Sequence, residues 1–372
     1  TGLTTVGAAN TLTTVAGIPL YKGDTGSIYT HNVSGTDDTA QYNSAYGLTA
    51  LDAITTGDVN TALGYGALGA NNSGANNTAV GASALETNTT GNYNVAHGSY
   101  ALQNNSTASS NVAMGYKALQ DNTTGASNIA VGQSALEDNT TGTRNIAIGF
   151  EAYDASDTEN DNLAIGYQAM TVNTAGGTQN IALGNYALDA LTSGDYNVGI
   201  GMNALTANTT GSGNVGVGLE ALYTTTTANY NTGIGFRALK VNVANINTAI
   251  GSAALKANTT GDANVAVGAD AMDKNTTGAS NTALGLQALF TNTTGDLNVA
   301  IGRDCLRSNN ADNQVAVGAD AMYNNTTGAR NTGIGYQSLY TNSTGGYNTA
   351  IGNSALKLNS TGAQNTAVGD HA

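Results

Sequence analysis

One short unit is repeated along most of this sequence. The pentad Asn-x-Ala-(Ile/Val/Leu)-Gly recurs, with some variation, in twenty copies between residues 43 and 372. Sixteen of the nineteen spacings between the pentad glycines are 17 residues, two are 16 and one is 18. Units this short cannot bury a core alone and must stack on one another. The repeat therefore predicts a continuous solenoid over 43–372, preceded by a non-repeat attachment or assembly segment, 1–42.

Each position of the unit has a recognisable character when the pentad Asn is numbered position 1. Positions 2 and 4 are mostly β-branched or aliphatic, and position 3 is Ala or Gly. This alternation predicts a strand. We expect its aliphatic face to point into the coil, and its small-residue face to pack against another part of the chain or another subunit. Positions 6–11 are rich in helix formers, so we expect a short helical turn there, with a second short strand as the alternative.

The fold class that follows is β, a parallel β-solenoid or β-roll of about twenty 17-residue coils. Positions 12–15, typically Asn-Thr-Thr-Gly, are expected to form a turn. Twenty coils spaced about 4.8 Å apart would make a rod of roughly 95 Å. The position-1 asparagines are expected to form a side-chain amide ladder along the axis. The candidate structural ladder comprises Asn60, Asn77, Asn111, Asn128, Asn145, Asn281, Gly64, Gly81, Gly115 and Gly132.

Composition excludes several classes of partner. Eleven basic residues against 25 acidic ones give a formal net charge of −14. This balance argues against binding to nucleic acid through a basic face and against attraction to an anionic membrane surface. The sequence has no run of eighteen apolar residues, so we expect no membrane insertion. The single cysteine leaves no internal disulfide to form.

The candidate reactive residues favour structural interpretations. Cys305 occupies position 8, the Ala column, and is interpreted as a buried small apolar residue rather than a nucleophile. His31, His97 and His371 are too widely separated for a metal site. We interpret the acidic residues as part of a solvent-exposed face. We therefore predict no catalytic residue, no cofactor, no metal and no enzyme activity. The Asn-Thr-Thr and Asn-Ser-Thr triplets match glycosylation sequons, but their fixed place in the turn explains them without sugar.

The core Asn-x-Ala-Ile-Gly-x-x-Ala resembles the head repeats of trimeric autotransporter adhesins. A longer form, seen at 166–170 (Gly-Tyr-Gln-Ala-Met) and 335–339 (Gly-Tyr-Gln-Ser-Leu), is similar to repeats of bacteriophage tail and head fibres. The resemblance covers residues 43–372. It implies a parallel β-solenoid, commonly a homotrimer whose three rolls bury small-residue faces against one another. The adhesin unit is shorter, and its second segment alternates as a strand where this one reads Ala-Leu.

These features together predict a non-enzymatic, extracellular structural fibre protein that self-associates. A viral, phage-type fibre is the leading interpretation, and a microbial surface filament or adhesin subunit that polymerises end to end is the alternative. The expected partner is the chain itself, as a homotrimer or a head-to-tail filament, with a host-surface or glycan receptor as a further candidate. The sequence stops within a coil at 370–372, which indicates either a longer fibre or head-to-tail stacking of subunits.

Overall fold

The repeat folds into stacked coils that contain short β-strands. A computed structural model describes residues 14–15, 18–19, 21–22, 28–29, 39–172 and 176–372. Those residues form strands, turns and bends, and no helix. The coils fall into two compact units, Thr1–Gln179 and Asn180–Ala372. Most of the segment 1–42, including His31, lies outside the described residues, so its attachment role stays a prediction.

The first unit begins with two antiparallel pairs and continues as a parallel ladder. β1 (Thr14–Val15) pairs with β2 (Ile18–Pro19), and β3 (Tyr21–Lys22) pairs with β4 (Ile28–Tyr29). From β4 onward each strand pairs in parallel with the next. The strands after β4 are β5 (Ser44–Tyr46), β6 (Thr61–Leu63), β7 (Thr78–Val80), β8 (Val95–His97), β9 (Val112–Met114), β10 (Ile129–Val131), β11 (Ile146–Ile148) and β12 (Leu163–Ile165).

The second unit is an uninterrupted parallel ladder of twelve strands, each pairing with the next in register. They are β13 (Ile181–Leu183), β14 (Val198–Ile200), β15 (Val215–Val217), β16 (Thr232–Ile234), β17 (Thr248–Ile250), β18 (Val265–Val267), β19 (Thr282–Leu284), β20 (Val299–Ile301), β21 (Val315–Val317), β22 (Thr332–Ile334), β23 (Thr349–Ile351) and β24 (Thr366–Val368). The predicted parallel β-solenoid with 17 residues per coil is thereby confirmed.

The two faces of the strand point in the opposite directions from those expected. Ala283 at position 3 is fully buried, whereas Leu284 at position 4 is 46% exposed. The interior is filled instead by position 3 together with the Ala and Leu of positions 8 and 9. The packing around position 3 is tight, because a Cβ added to Gly199 would lie 3.2 Å from Leu188 Cγ, so that the leucine would have to shift slightly to admit it. The expectation that the aliphatic face points inward is therefore wrong. The small-residue face packs against another part of the chain, the first of the two alternatives expected for it, and lies inside the coil.

The expected helical turn at positions 6–11 is also absent from the described coils. The residues at positions 7 and 9 are left-handed, with φ of 55° at Gln287 and 51° at Leu289. The Leu289 N–H donates to the carbonyl of Cys305 in the following coil, and the Gln287 N–H donates to that of Ala269 in the preceding coil, both at 3.0 Å. These residue types favour a helix in other proteins, but here their backbone N–H groups donate to neighbouring coils and not to carbonyls of their own segment, as a helix would require.

The pentad glycine at position 5 is required by both conformation and space. Gly64 has φ of 141°, a region that side chains disfavour. A Cβ there would overlap the carbonyl oxygen of Gly81 in the next coil and lie 2.6 Å from its carbonyl carbon. Gly66, two residues later, has φ of 67° and room for a side chain, since an added Cβ would make only ordinary van der Waals contacts, none shorter than 3.6 Å.

We expect Gly64→Ala to weaken the local stack by roughly 3 kcal/mol, because strain and overlap add. Gly66→Gln is the matched control in the same coil, since Gln occupies the equivalent position at Gln287, and should cost only the about 1–2 kcal/mol of a left-handed residue, without the overlap. Because the global unfolding of a repeat protein is not two-state, amide hydrogen exchange over residues 44–98 is used to measure both effects locally. Equal exchange in the two variants would contradict the steric role of position 5.

Candidate functional site: the asparagine ladders and the strand face

The position-1 asparagines form a column of buried amides that links successive coils. Asn128 Oδ1 accepts the backbone N–H of Asn145 at 2.9 Å, and its Nδ2 donates to the carbonyl of Gly142 at 2.7 Å. One side chain thus joins its own coil across the interior and bonds to the next coil. Gln314, the one exception to Asn, repeats the pattern by donating to the Gly328 carbonyl at 2.7 Å.

The predicted ladder residues occupy these places. All six named asparagines are fully buried. Each donates its own backbone N–H to the side-chain oxygen of the preceding coil at 2.8–3.0 Å. Each also donates a side-chain N–H to the backbone carbonyl oxygen of the residue fourteen positions later, at 2.7–2.9 Å. The named glycines, Gly64, Gly81, Gly115 and Gly132, lie at position 5 with φ between 138° and 141°.

A second ladder, which sequence analysis assigned only to a turn, runs through position 12. Asn105 is fully buried, and its Nδ2 donates to Asn88 Oδ1 at 2.8 Å and to the Ala108 carbonyl at 3.1 Å. Its Oδ1 accepts from Asn122 Nδ2 at 2.9 Å. The regular recurrence of Asn at position 12 was the available signal. It was missed because Asn is common in turns for purely local reasons.

The second ladder also explains the sequon asparagines. The atom that would carry a glycan is Nδ2, and in Asn122 this atom donates to Asn105 Oδ1 at 2.9 Å and to the Gly125 carbonyl at 3.0 Å. Asn275 makes the equivalent pair of bonds at 2.7 and 2.9 Å. Both side chains are fully buried. A glycan on either would remove a buried hydrogen bond and displace the neighbouring coil, so in these folded coils the asparagine is structural.

The ionisable residues singled out from the sequence lie apart from one another. Cys305 is fully buried at position 8, and its Sγ donates to the carbonyl of Ala316 at 3.3 Å. Burial raises the pKa of this thiol to about 12, which keeps it protonated and unreactive near neutral pH. His97 is exposed at the end of β8, and His371 is exposed near the last strand. The described residues contain no group of three or more His, Cys, Asp or Glu side chains arranged to hold a metal ion.

One carboxylate sits in an unfavourable electrostatic environment. Burial, together with the negative charges of Glu151 and Asp138, raises the pKa of Asp154 to about 6. Burial likewise raises the pKa of Asp138, with Glu137 adding to the effect. Lys117 relieves part of this repulsion through a 2.8 Å ion pair with Glu137. The ionised carboxylates of Asp138 and Asp154 therefore destabilise the stack at neutral pH.

An exposed apolar surface runs along the second unit, which we name the strand band. It consists of the first and last residues of β13–β24, which are positions 2 and 4, with positions 17 and 6 as its margins. None of the twenty-four residues at positions 2 and 4 is ionisable. Large exposed apolar side chains extend it on both margins. They are Tyr196, Tyr230, Ile246, Leu297 and Tyr347 at position 17, and Met202, Leu219, Phe236, Leu286 and Tyr336 at position 6.

Comparison with known proteins adds no assignment. No protein-family model matches the chain, and no curated protein is significantly similar to it. The structure establishes the parallel β-solenoid and its tandem repeat independently of any relative. Within the described residues there is also no helix with the length and apolar character needed to cross a membrane.

We expect Asn105→Ala to weaken the stack around its coil by about 2–4 kcal/mol, because buried partners lose their hydrogen bonds. Asn104→Ala is the adjacent control, since Asn104 is exposed and its side chain donates only to the Asp121 carboxylate at 2.7 Å. That change should cost less than about 0.5 kcal/mol. Local hydrogen exchange over residues 88–125 distinguishes the two. Similar protection in both variants would contradict the ladder.

The pKa of Asp154, raised from an unfolded value of about 4 to about 6, predicts a specific pH dependence. The folded state binds the proton more tightly, so stability near Asp154 should be greatest below about pH 4 and fall as the pH rises through 6. We expect Asp154→Asn to remove this dependence and to stabilise residues 137–155 at pH 7. Hydrogen exchange, corrected for intrinsic rates, tests this between pH 5 and 7. A variant that kept the full wild-type pH dependence would contradict it.

Proposed function

We propose that the chain is a non-enzymatic structural protein that self-associates into an extracellular fibre, with a viral, phage-type fibre as the leading assignment. The observation that carries the proposal is that the buried groups of each coil contact the next coil. These groups are the position-1 and position-12 amides, the position-5 glycines and the backbone of the strands. A chain whose interior is devoted to joining identical units is suited to bearing load along a stack.

The distribution of chemistry supports a structural role over catalysis. Catalysis needs convergent ionisable groups around a space where a substrate fits. The interior of these coils holds Asn, Ala and Leu, and its thiol is fully buried and protonated. The charged side chains form local ion pairs between neighbouring coils, such as Arg237 with Glu220 at 2.8 Å. Such pairs stabilise a surface modestly and provide no reaction centre.

The alternative assignment is a microbial surface filament or adhesin subunit that polymerises end to end. The two assignments share the self-associating fibre and differ in its origin. A host-surface or glycan receptor remains a candidate partner for either. The exposed tyrosines at the margins of the strand band, such as Tyr230 and Tyr347, have the aromatic surface that glycans and proteins commonly contact.

Electron microscopy of the purified chain tests the fibre proposal. We expect elongated particles at least roughly 95 Å long, with a rung spacing of about 4.8 Å in averaged images or diffraction. Mass per length then separates the arrangements, because a single rod carries one 37.2 kDa chain along that length and a homotrimer carries three. Compact particles without regular rungs would overturn the proposal.

A further inference from the structure

We infer that the strand band of the second unit is a lateral interface that binds the same band of a second copy of this chain. The inference rests on the proposed self-associating fibre and adds which surface of the coil makes the contact. It also replaces the small-residue face, which lies inside the coil. The band joins the two chains side by side, with their strand faces packed about 10 Å apart as in stacked sheets.

The size of the band fits a stable interface. Twelve strands at about 4.8 Å extend over roughly 53 Å, and positions 17 to 6 span up to about 20 Å. The flat footprint is therefore roughly 1,000 Å², against about 800 Å² per partner in a standard stable complex. The apolar part of this footprint comprises the aliphatic position-4 line and the large exposed side chains of the margins, which a single chain leaves in water.

The residues at position 4 indicate burial and not merely strand preference. Strand propensity alone accepts Thr as readily as Val or Ile on an exposed face. Position 2 of β13–β24 contains Thr in six of twelve strands, whereas position 4 contains only Ile, Val and Leu. Ile250 and Leu284 are 39% and 46% exposed. A position that admits aliphatic residues and never Thr is the central, driest line of the interface.

Ile246 at the margin gives a second, independent indication. It has φ of 59°, a conformation in which a β-branched residue is strained, and its side chain is 62% exposed. Neither property stabilises the isolated chain, for which Asn or Gly would serve better at this position. Asn313 and Gly213 occupy the equivalent place in other coils. Burial against a second chain supplies the stabilisation that the isolated coil lacks.

The periodicity and charge of the band select a second copy as the occupant. Its side chains form ridges that repeat with every coil, and only a surface with the same spacing interdigitates with them along the full length. The only residues of the band that are charged at neutral pH are Arg303, Arg330 and Asp370, which all lie on its margins. With no charge along its centre, the band has nothing to attract a partner recognised by charge. The net charge of −14 also disfavours an anionic lipid surface.

The experiment uses the full chain with two charged substitutions on the band and two outside it. Ile250→Glu with Leu284→Glu should raise the Kd for self-association at least about 100-fold, giving a 37.2 kDa monomer by light scattering. Thr260→Glu with Thr294→Glu, exposed in the same two coils, should leave the mass unchanged. Circular dichroism identifies any variant that fails to fold.

Thiol labelling covers the case in which the charged variant does not fold. Cys305 is buried, so a new cysteine reports alone. Leu284→Cys should react with a maleimide at least about tenfold more slowly than Thr294→Cys when the chain is concentrated, and the difference should vanish on dilution. Equal labelling rates of the two variants at every concentration would overturn the inference. It would also be overturned if the chain without charged substitutions were a monomer and Leu284→Cys were protected from labelling only when zwitterionic vesicles were added. Fibres one chain wide with a freely labelled band would overturn it while leaving the fibre proposal intact, whereas compact particles would overturn both.

Discussion

Hydrogen bonding between coils is the constraint from which the other features follow. A 17-residue coil closes around an interior too small to satisfy its own backbone groups, so its amides point up and down the stack. Left-handed residues at positions 7, 9 and 17 aim those amides in alternating directions, as Gln287 and Leu289 do. Each such residue costs about 1–2 kcal/mol. That cost is tolerable only when the neighbouring coils are present to accept the bonds.

The same constraint determines what fills the interior. Two columns of Asn are buried where globular proteins place aliphatic residues, and most of their amides bond to a counterpart one coil away. The Oδ1 atoms of Asn139 and Asn292, where the position-12 column is interrupted, are buried without a partner. A buried polar group without a partner is costly, so the ladders also fix the register of the coils. Leu and Ala fill the remaining space. The aliphatic strand residues have no room inside and face outward.

The repeat predicted the parallel coils, their length and the position-1 Asn column, because periodicity and an unusual buried residue type leave few alternatives. The direction of the strand faces was not predictable from alternation alone, since both faces are apolar and a period of two says only that they differ. The Ala-Leu segment was misread as helical because propensity scales describe consecutive right-handed residues. They contain no term for the left-handed conformation adopted by Leu289. The second Asn ladder was hidden by the ordinary role of Asn in turns.

The two shortened coils show which parts of the repeat cannot vary. In each, one residue is missing from the corner that follows position 12, and Asn242 and Asn309 compensate by donating to a carbonyl two residues later in place of three. The position-1 ladder continues through both slips, because Asn231 Oδ1 accepts the Asn247 N–H and Asn298 Oδ1 accepts the Gln314 N–H, both at 2.9 Å. The position-12 ladder is interrupted before Asn309, where Asn292 Oδ1 is buried without a partner, and resumes after each shortened coil with the 2.8 Å bonds from Asn258 to Asn242 and from Asn325 to Asn309. Strands β16, β17, β20 and β21 stay in register across the slips. Length is therefore free to change only at the corner, while the strand face keeps its spacing without interruption. An uninterrupted spacing has no benefit for solubility, but it is what a partner of the same periodicity requires.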